Sequence, residues 1–199
     1  MGTYVEFIAC PPEGPLGQIV TMIAGFAAWY VTDFAEDGDT QVLGLITAVK
    51  EHGVAAFTGL RPDDHAVVDK LVAEFYGFYC DHPRRQQLRK VETSMLRMAR
   101  YRWLHEEMEG MLTPEVSSLW AYIYVGRPFA PPNRTAGYIS DDDASWVSWW
   151  SLDEVWLLRR GLPPRNFAGS EDTRDVLHAA HTALEFAERE ACGLVVTAF

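Results

Sequence analysis

The chain has 199 residues, a formal net charge of -11, and 48% hydrophobic and 23% charged residues, globular values that exclude a disordered or fibrous chain. An unusual 13% aromatic content with seven tryptophans favours a rigid core or an aromatic-lined pocket. That length fits one domain burying roughly 70% of its unfolded surface without staples, and the acidity disfavours nucleic acid or anionic membrane as a general partner. Three scattered cysteines, Cys10, Cys80 and Cys192, exclude a disulfide framework and favour a reducing cytoplasm.

The N-terminus MGTYVEFIAC carries no Lys or Arg, so no secretory signal is read. Its segment Thr3 to Cys10 is β-branched and aromatic and stops at Pro11-Pro12, which predicts a strand. Pro15 to Val31 follows as a largely apolar helix. Gln18 and Thr21 within it, acids at both flanks and a length of 17 residues favour a buried helix over a membrane span. TQVLGLITAVKEHG is predicted as a second helix, with Thr40 as cap, Val42, Leu45, Ile46 and Val49 inward, and Gly53 as its stop. VAAFTGL reads as a short strand or an extended connection.

Residues 61–82 give the clearest amphipathic helix, with Val67, Val68, Leu71, Val72, Phe75, Tyr76 and Tyr79 at steps of three and four. Pro83 opens a further helical segment, 84–112. Its apolar stripe of Leu88, Val91, Met95 and Met98 does not line up with that of Leu104, Met108 and Met111, so a break is expected around Arg100 to Leu104. Thr113-Pro114 starts like a helix, but WAYIYV continues like a strand. The Pro-rich loop 127–134 sets off 135–199 as a candidate subdomain within one domain, 1–199. Ser151 and Glu154 form a capping box with Trp150 and Val155 as its hydrophobic staple, and Gly161 with Pro163-Pro164 closes that helix. A last helix runs from Ser170 to Gly193, and LVVTAF ends the chain as a strand. The fold class is therefore α+β, mainly helical, with helices packed over a small sheet that includes both the N-terminal and the C-terminal strand.

Two features single out binding residues. Seven Lys or Arg residues and one acid lie between Arg84 and Arg102, a charge segregation able to steer an anionic ligand or an acidic partner. On that helix Arg97, Arg100, Tyr101 and Trp103 supply planar donors and rings. The second feature is ISDDDASWVSWW. Asp141, Asp142 and Asp143 suit the first turn of a helix and need no metal; Trp146, Trp149 and Trp150 would then share one face of it, as a corner with at least one ring lining a groove.

Other clusters read as polar surface. Asp175, His178, His181 and Glu185 stack on one face of the last helix, opposite its apolar stripe, and so point to solvent. His105 and Glu109 lack the second histidine of a zinc-protease pattern. Cys10 ends a strand but has no base assigned to it, which favours a buried thiol. Phosphate-loop, dinucleotide-turn and esterase-elbow motifs are absent. No metal or cofactor is expected. The arginine-over-lysine bias, 14 to 3, is that of GC-rich coding. The reading is a non-catalytic binding or interaction protein of the bacterial cytoplasm, with a protein partner or a small anionic or aromatic ligand. The alternative is a small-molecule enzyme using His105, Glu106, Asp141 or Asp143 beside the indoles.

Overall fold

The computed structural model describes residues 2–33, 39–81, 88–97, 104, 106–108, 110–127 and 146–198. Along them run strand β1 (Gly2–Cys10), helices α1 (Leu16–Asp33), α2 (Thr40–His52) and α3 (His65–Asp81), strand β2 (Lys90–Arg97), helix α4 (Pro114–Val125), strand β3 (Trp146–Trp150), helices α5 (Leu152–Gly161) and α6 (Glu171–Glu190), and strand β4 (Gly193–Ala198). The strands form one antiparallel sheet in the order β2-β1-β4-β3, so the first and last strands are neighbours at its centre. This is the mainly helical α+β fold expected from the sequence.

Side chains alternate across a strand, and here both faces are covered. Val5, Phe7, Leu194 and Val196 meet α4, α5 and α6, while Ile8, Cys10, Val147 and Val195 meet α1, α2 and α3. Burial from both sides explains why Leu194-Val195-Val196 is an unbroken apolar run, each residue without exposure. On α1 the inward stripe is Ile19, Ile23, Phe26, Ala27 and Tyr30, at helical steps. Phe26 centres the aromatic packing of this layer, 5.6 Å from Phe75 and 5.8 Å from Phe78. Among the described residues no helix is long and apolar enough to cross a membrane.

Several local expectations are corrected. Lys90–Arg97 is not helical but pairs with β1 from Gly2 to Ile8, with an irregularity between Phe7 and Ile8. Helix preferences of Leu, Met and Arg amount to a few tenths of a kcal/mol per residue, less than an eight-residue ladder with Val91 packed on the core supplies. The expected break near Arg100 lies largely outside the described residues, though Leu104 and Met108 are buried against α4 to α6. WAYIYV stays helical in α4, because Val116, Leu119, Trp120 and Ile123 fall at steps of three, one and three and are all buried. Gly53 to Phe57 forms a 3-10 turn, neither the short strand nor the extended connection expected for VAAFTGL.

Helix ends also differ in detail. Asp39, rather than Thr40, caps α2, accepting from Gln41 and Val42 N–H. Gly53, at φ 60°, ends that helix as expected. The end of α6 is Ala191, in the left-handed conformation at φ 52° and ψ 49°. Gly193 belongs to β4, and its role is steric: a Cβ there would lie 2.7 Å from Pro11 O, 2.8 Å from Trp150 O and 3.0 Å from Cys10 Sγ.

Candidate functional site

The tryptophans sit on an edge strand, not on a helix. Trp146 to Trp150 pair with Ala198 to Leu194 of β4, and the two-residue period of a strand sends Trp149 and Trp150 to opposite faces. The expected indole corner is thereby replaced by two separate roles. Trp150 is without exposure in the α4–α6 core, 6.3 Å from the Phe7 ring, and its Nε1 donates to Leu119 O at 3.0 Å. The capping box holds: Ser151 Oγ accepts from Glu154 N–H at 3.4 Å and Glu154 accepts from Ser151 N–H at 2.8 Å. Val155 shares the Trp150 core, as a staple requires.

Trp149 faces the other layer and is half-buried. Its ring edge covers Gly14, where a Cβ would come within 3.2 Å. The Arg127 guanidinium lies between two rings, 5.1 Å from Trp149 and 5.0 Å from Tyr122. It forms a two-pronged pair with Glu154 at 2.6 and 2.9 Å and donates to Trp149 O at 2.8 Å; the Arg127 backbone N–H donates to Val147 O. One residue thus satisfies two outward carbonyls of the sheet edge. In the sequence Arg127 reads as the start of a linker, and nothing in its spacing signals this role.

Of the other residues expected to bind, Arg97 closes β2 opposite Gly2. Arg100, Tyr101 and Trp103 lie outside the described residues, as do His105, Glu109 and Asp141 to Asp143. Glu106 is exposed. The histidine face of α6 is split: His178 is exposed, but His181 is buried, with Nε2 2.7 Å from Pro163 O and no partner at Nδ1. The 163–165 turn folds back over that part of α6, which a count at 100° per residue does not reveal. Burial holds the His181 imidazole below its ordinary pKa, opposed by the Pro163 hydrogen bond and aided by Arg159 and Arg165. Glu185 is held by both arginines, at 2.9 and 2.7 Å. Among the described residues no group of three metal-binding side chains converges.

A polar cluster ties the three helices of the other layer. Lys70 Nζ reaches the capping carboxylate of Asp39 at 3.0 Å and Glu74 at 3.9 Å. Burial raises the Glu74 carboxyl pKa against the hydrogen bond from Tyr30 and the Lys70 charge. The Lys70 hydrogen bond lowers that of Asp39. Asp39, the N-cap of α2, is thereby tied to Lys70 of α3.

Among the described residues, two open grooves of about 310 Å3 each lie beside α1. One lies between α1 and α2, floored by Ala24, Ala27, Ala28 and Ile46, with Lys50 the one charged lining residue among those described. The other lies where β1 ends against the first turns of α1, and its lining includes Ala9, Cys10, Pro11, Gln18 and Met22. Among the described residues Arg89 is its one charged lining residue. This second groove is the better organised. Gln18 is fixed by the Tyr76 hydroxyl, which donates to Oε1 at 2.6 Å, and by its own donation to Ala9 O at 3.4 Å. Arg89 is fixed by its carbonyl, which accepts from Ala9 N–H at 2.9 Å, and by its guanidinium, stacked 4.5 Å from the Phe186 ring. The Cys10 thiol is buried, and burial, with smaller contributions from Cys192 and Glu13, pushes its pKa well above the ordinary range. It lines the groove as a small apolar side chain. Arg89 belongs to the basic run seen in the sequence, yet only the pairing of β2 with β1 brings it to the groove.

Comparison with known protein families, with curated proteins and with solved structures finds no match to this chain. The fold and the grooves are the basis for a functional reading.

Proposed function

We propose that the chain is a non-catalytic binding protein of the bacterial cytoplasm, taking a small anionic ligand with an apolar body in the groove between β1 and α1. The observation that carries this reading is Arg89, which lines the groove and whose guanidinium is held on the Phe186 ring, while the other described lining residues are uncharged. Guanidinium suits a carboxylate because it can donate two parallel hydrogen bonds. A volume of 310 Å3 is at the small end of ligand sites, which favours a short-chain or single-ring carboxylate. The acidic surface elsewhere repels anions, so one retained cation also confers direction on the approach. The expected Arg-rich helix is replaced by a strand over Lys90–Arg97, and Arg100, Tyr101 and Trp103 lie outside the described residues, so the groove at Arg89 carries the reading.

Octanoate is a suitable probe. Ten heavy atoms at about 0.3–0.5 kcal/mol each give about 3–5 kcal/mol, a dissociation constant of roughly 0.2–6 mM. Calorimetric titration is expected to show saturable binding of that order, lost at least about tenfold in Arg89→Gln, as loss of a charge-assisted hydrogen-bonded pair implies. Absence of binding, or equal binding by Arg89→Gln, would count against the groove as the site.

A further inference from the structure

Phe186, Arg189 and Glu190 lie three and four residues apart at the end of α6 and meet Arg89 from across the sheet edge. Both guanidiniums face the Phe186 ring, at 4.5 Å for Arg89 and 5.3 Å for Arg189. Glu190 divides its two oxygens between them: Oε1 accepts from Arg189 at 3.1 Å, while Oε2 is 3.5 Å from Arg89. The closer contact is with Arg189, and among the described residues Glu190 is the carboxylate paired with Arg89, at the longer distance.

We infer that Glu190 is a built-in competitor for Arg89 that sets the charge of the ligand the groove accepts, and that Arg189 is the positioning residue that holds Glu190 back. The inference rests on the groove reading above. An incoming carboxylate takes Arg89 side-on, and Glu190 stays on Arg189. The fixed negative charge beside the site tolerates one ligand charge and penalises a second, so a monocarboxylate is favoured over a phosphate monoester of the same chain. Discrimination of this kind comes from a repulsive element, not from an added attraction.

The test compares octanoate with octyl phosphate by calorimetry on the wild type, Glu190→Gln, Arg189→Gln and the double variant, with Arg89→Gln as the site control. All three side chains are at least one-third exposed, and circular dichroism checks that each variant folds. Glu190→Gln is expected to bind octanoate roughly twofold to fivefold tighter, the scale of an exposed ion pair, and to bring octyl phosphate level with octanoate. Arg189→Gln is expected to weaken octanoate binding in the wild type, because the released Glu190 moves onto Arg89, and to change nothing once residue 190 is Gln. Equal losses from Arg189→Gln in both backgrounds would mean a plain charge effect and overturn the inference. So would unchanged binding in Glu190→Gln, with the groove reading left standing. No octanoate bound by any of the four proteins overturns both.

Discussion

The Arg127 guanidinium donates to the carbonyl of Trp149 at 2.8 Å and stands 5.1 Å from the ring of the same residue. Backbone and side chain of one edge-strand residue are therefore held by one side chain, itself paired with Glu154. Both partners of that pair are about four-fifths buried, at 18% and 19% exposure. Removing one of them strands the other in a poorly hydrated place. Arg127→Met is expected to cost about 2–3 kcal/mol in urea unfolding, whereas the Arg127→Met, Glu154→Met double variant should lose less than the sum of the singles. A loss below about 0.5 kcal/mol for the single variant would show the pair to be no more than a surface contact.

Gly193 admits no side chain between Pro11, Trp150 and Cys10. Gly193→Ala is expected to destabilise by about 1–3 kcal/mol, the range for overpacking against atoms that cannot yield. Two residues earlier the opposite substitution helps: Ala191 is left-handed, so Ala191→Gly should gain up to about 1 kcal/mol. Thermal midpoints of the two variants should move in opposite directions.

His181 makes stability depend on pH with a definite sign. Its folded-state pKa is lowered from 6.5 by burial, so the unfolded chain takes up a proton that the folded ring resists. The ring's contribution is complete above pH 6.5 and is lost as pH falls from there through the folded-state value. The groups facing it, Arg159, Arg165, Glu185 and the Pro163 carbonyl, include two cations that oppose protonation. His181→Gln is expected to flatten the change in urea midpoint between about pH 7.5 and pH 5 relative to the wild type. An unchanged slope would remove His181 from the account.

Trp120 and Trp150 are both without exposure, but their N–H groups differ. Trp150 donates to Leu119 O, and Trp120 Nε1 has no partner. Replacing either by Phe removes similar area, so the difference reports the hydrogen bond. Trp150→Phe is expected to cost about 1 kcal/mol more than Trp120→Phe. Ser148, whose buried Oγ is also unpartnered, should tolerate Ser148→Ala with no loss. Chemical denaturation of the three variants checks both statements.

Residue order alone determined the parts of this protein that depend on local chemistry. The terminal strands, the apolar helix α1, the stripes of α2 and α3, the Ser151–Glu154 capping box and the Gly53 stop are set by periodicity, β-branching and cap chemistry within a few residues, and each was legible. Tertiary structure alone decided the rest. Lys90–Arg97 and Trp146–Trp150 carry patterns compatible with a helix, and became strands because β1 and β4 each presented an unpaired edge to them. WAYIYV carries the reverse pattern, and stayed helical because its stripe met the α5–α6 surface. Arg127 and Arg89 acquired their partners the same way, from residues 27 and 101 positions away in the chain. Contacts at that distance form only when the sheet closes, and no local propensity records them.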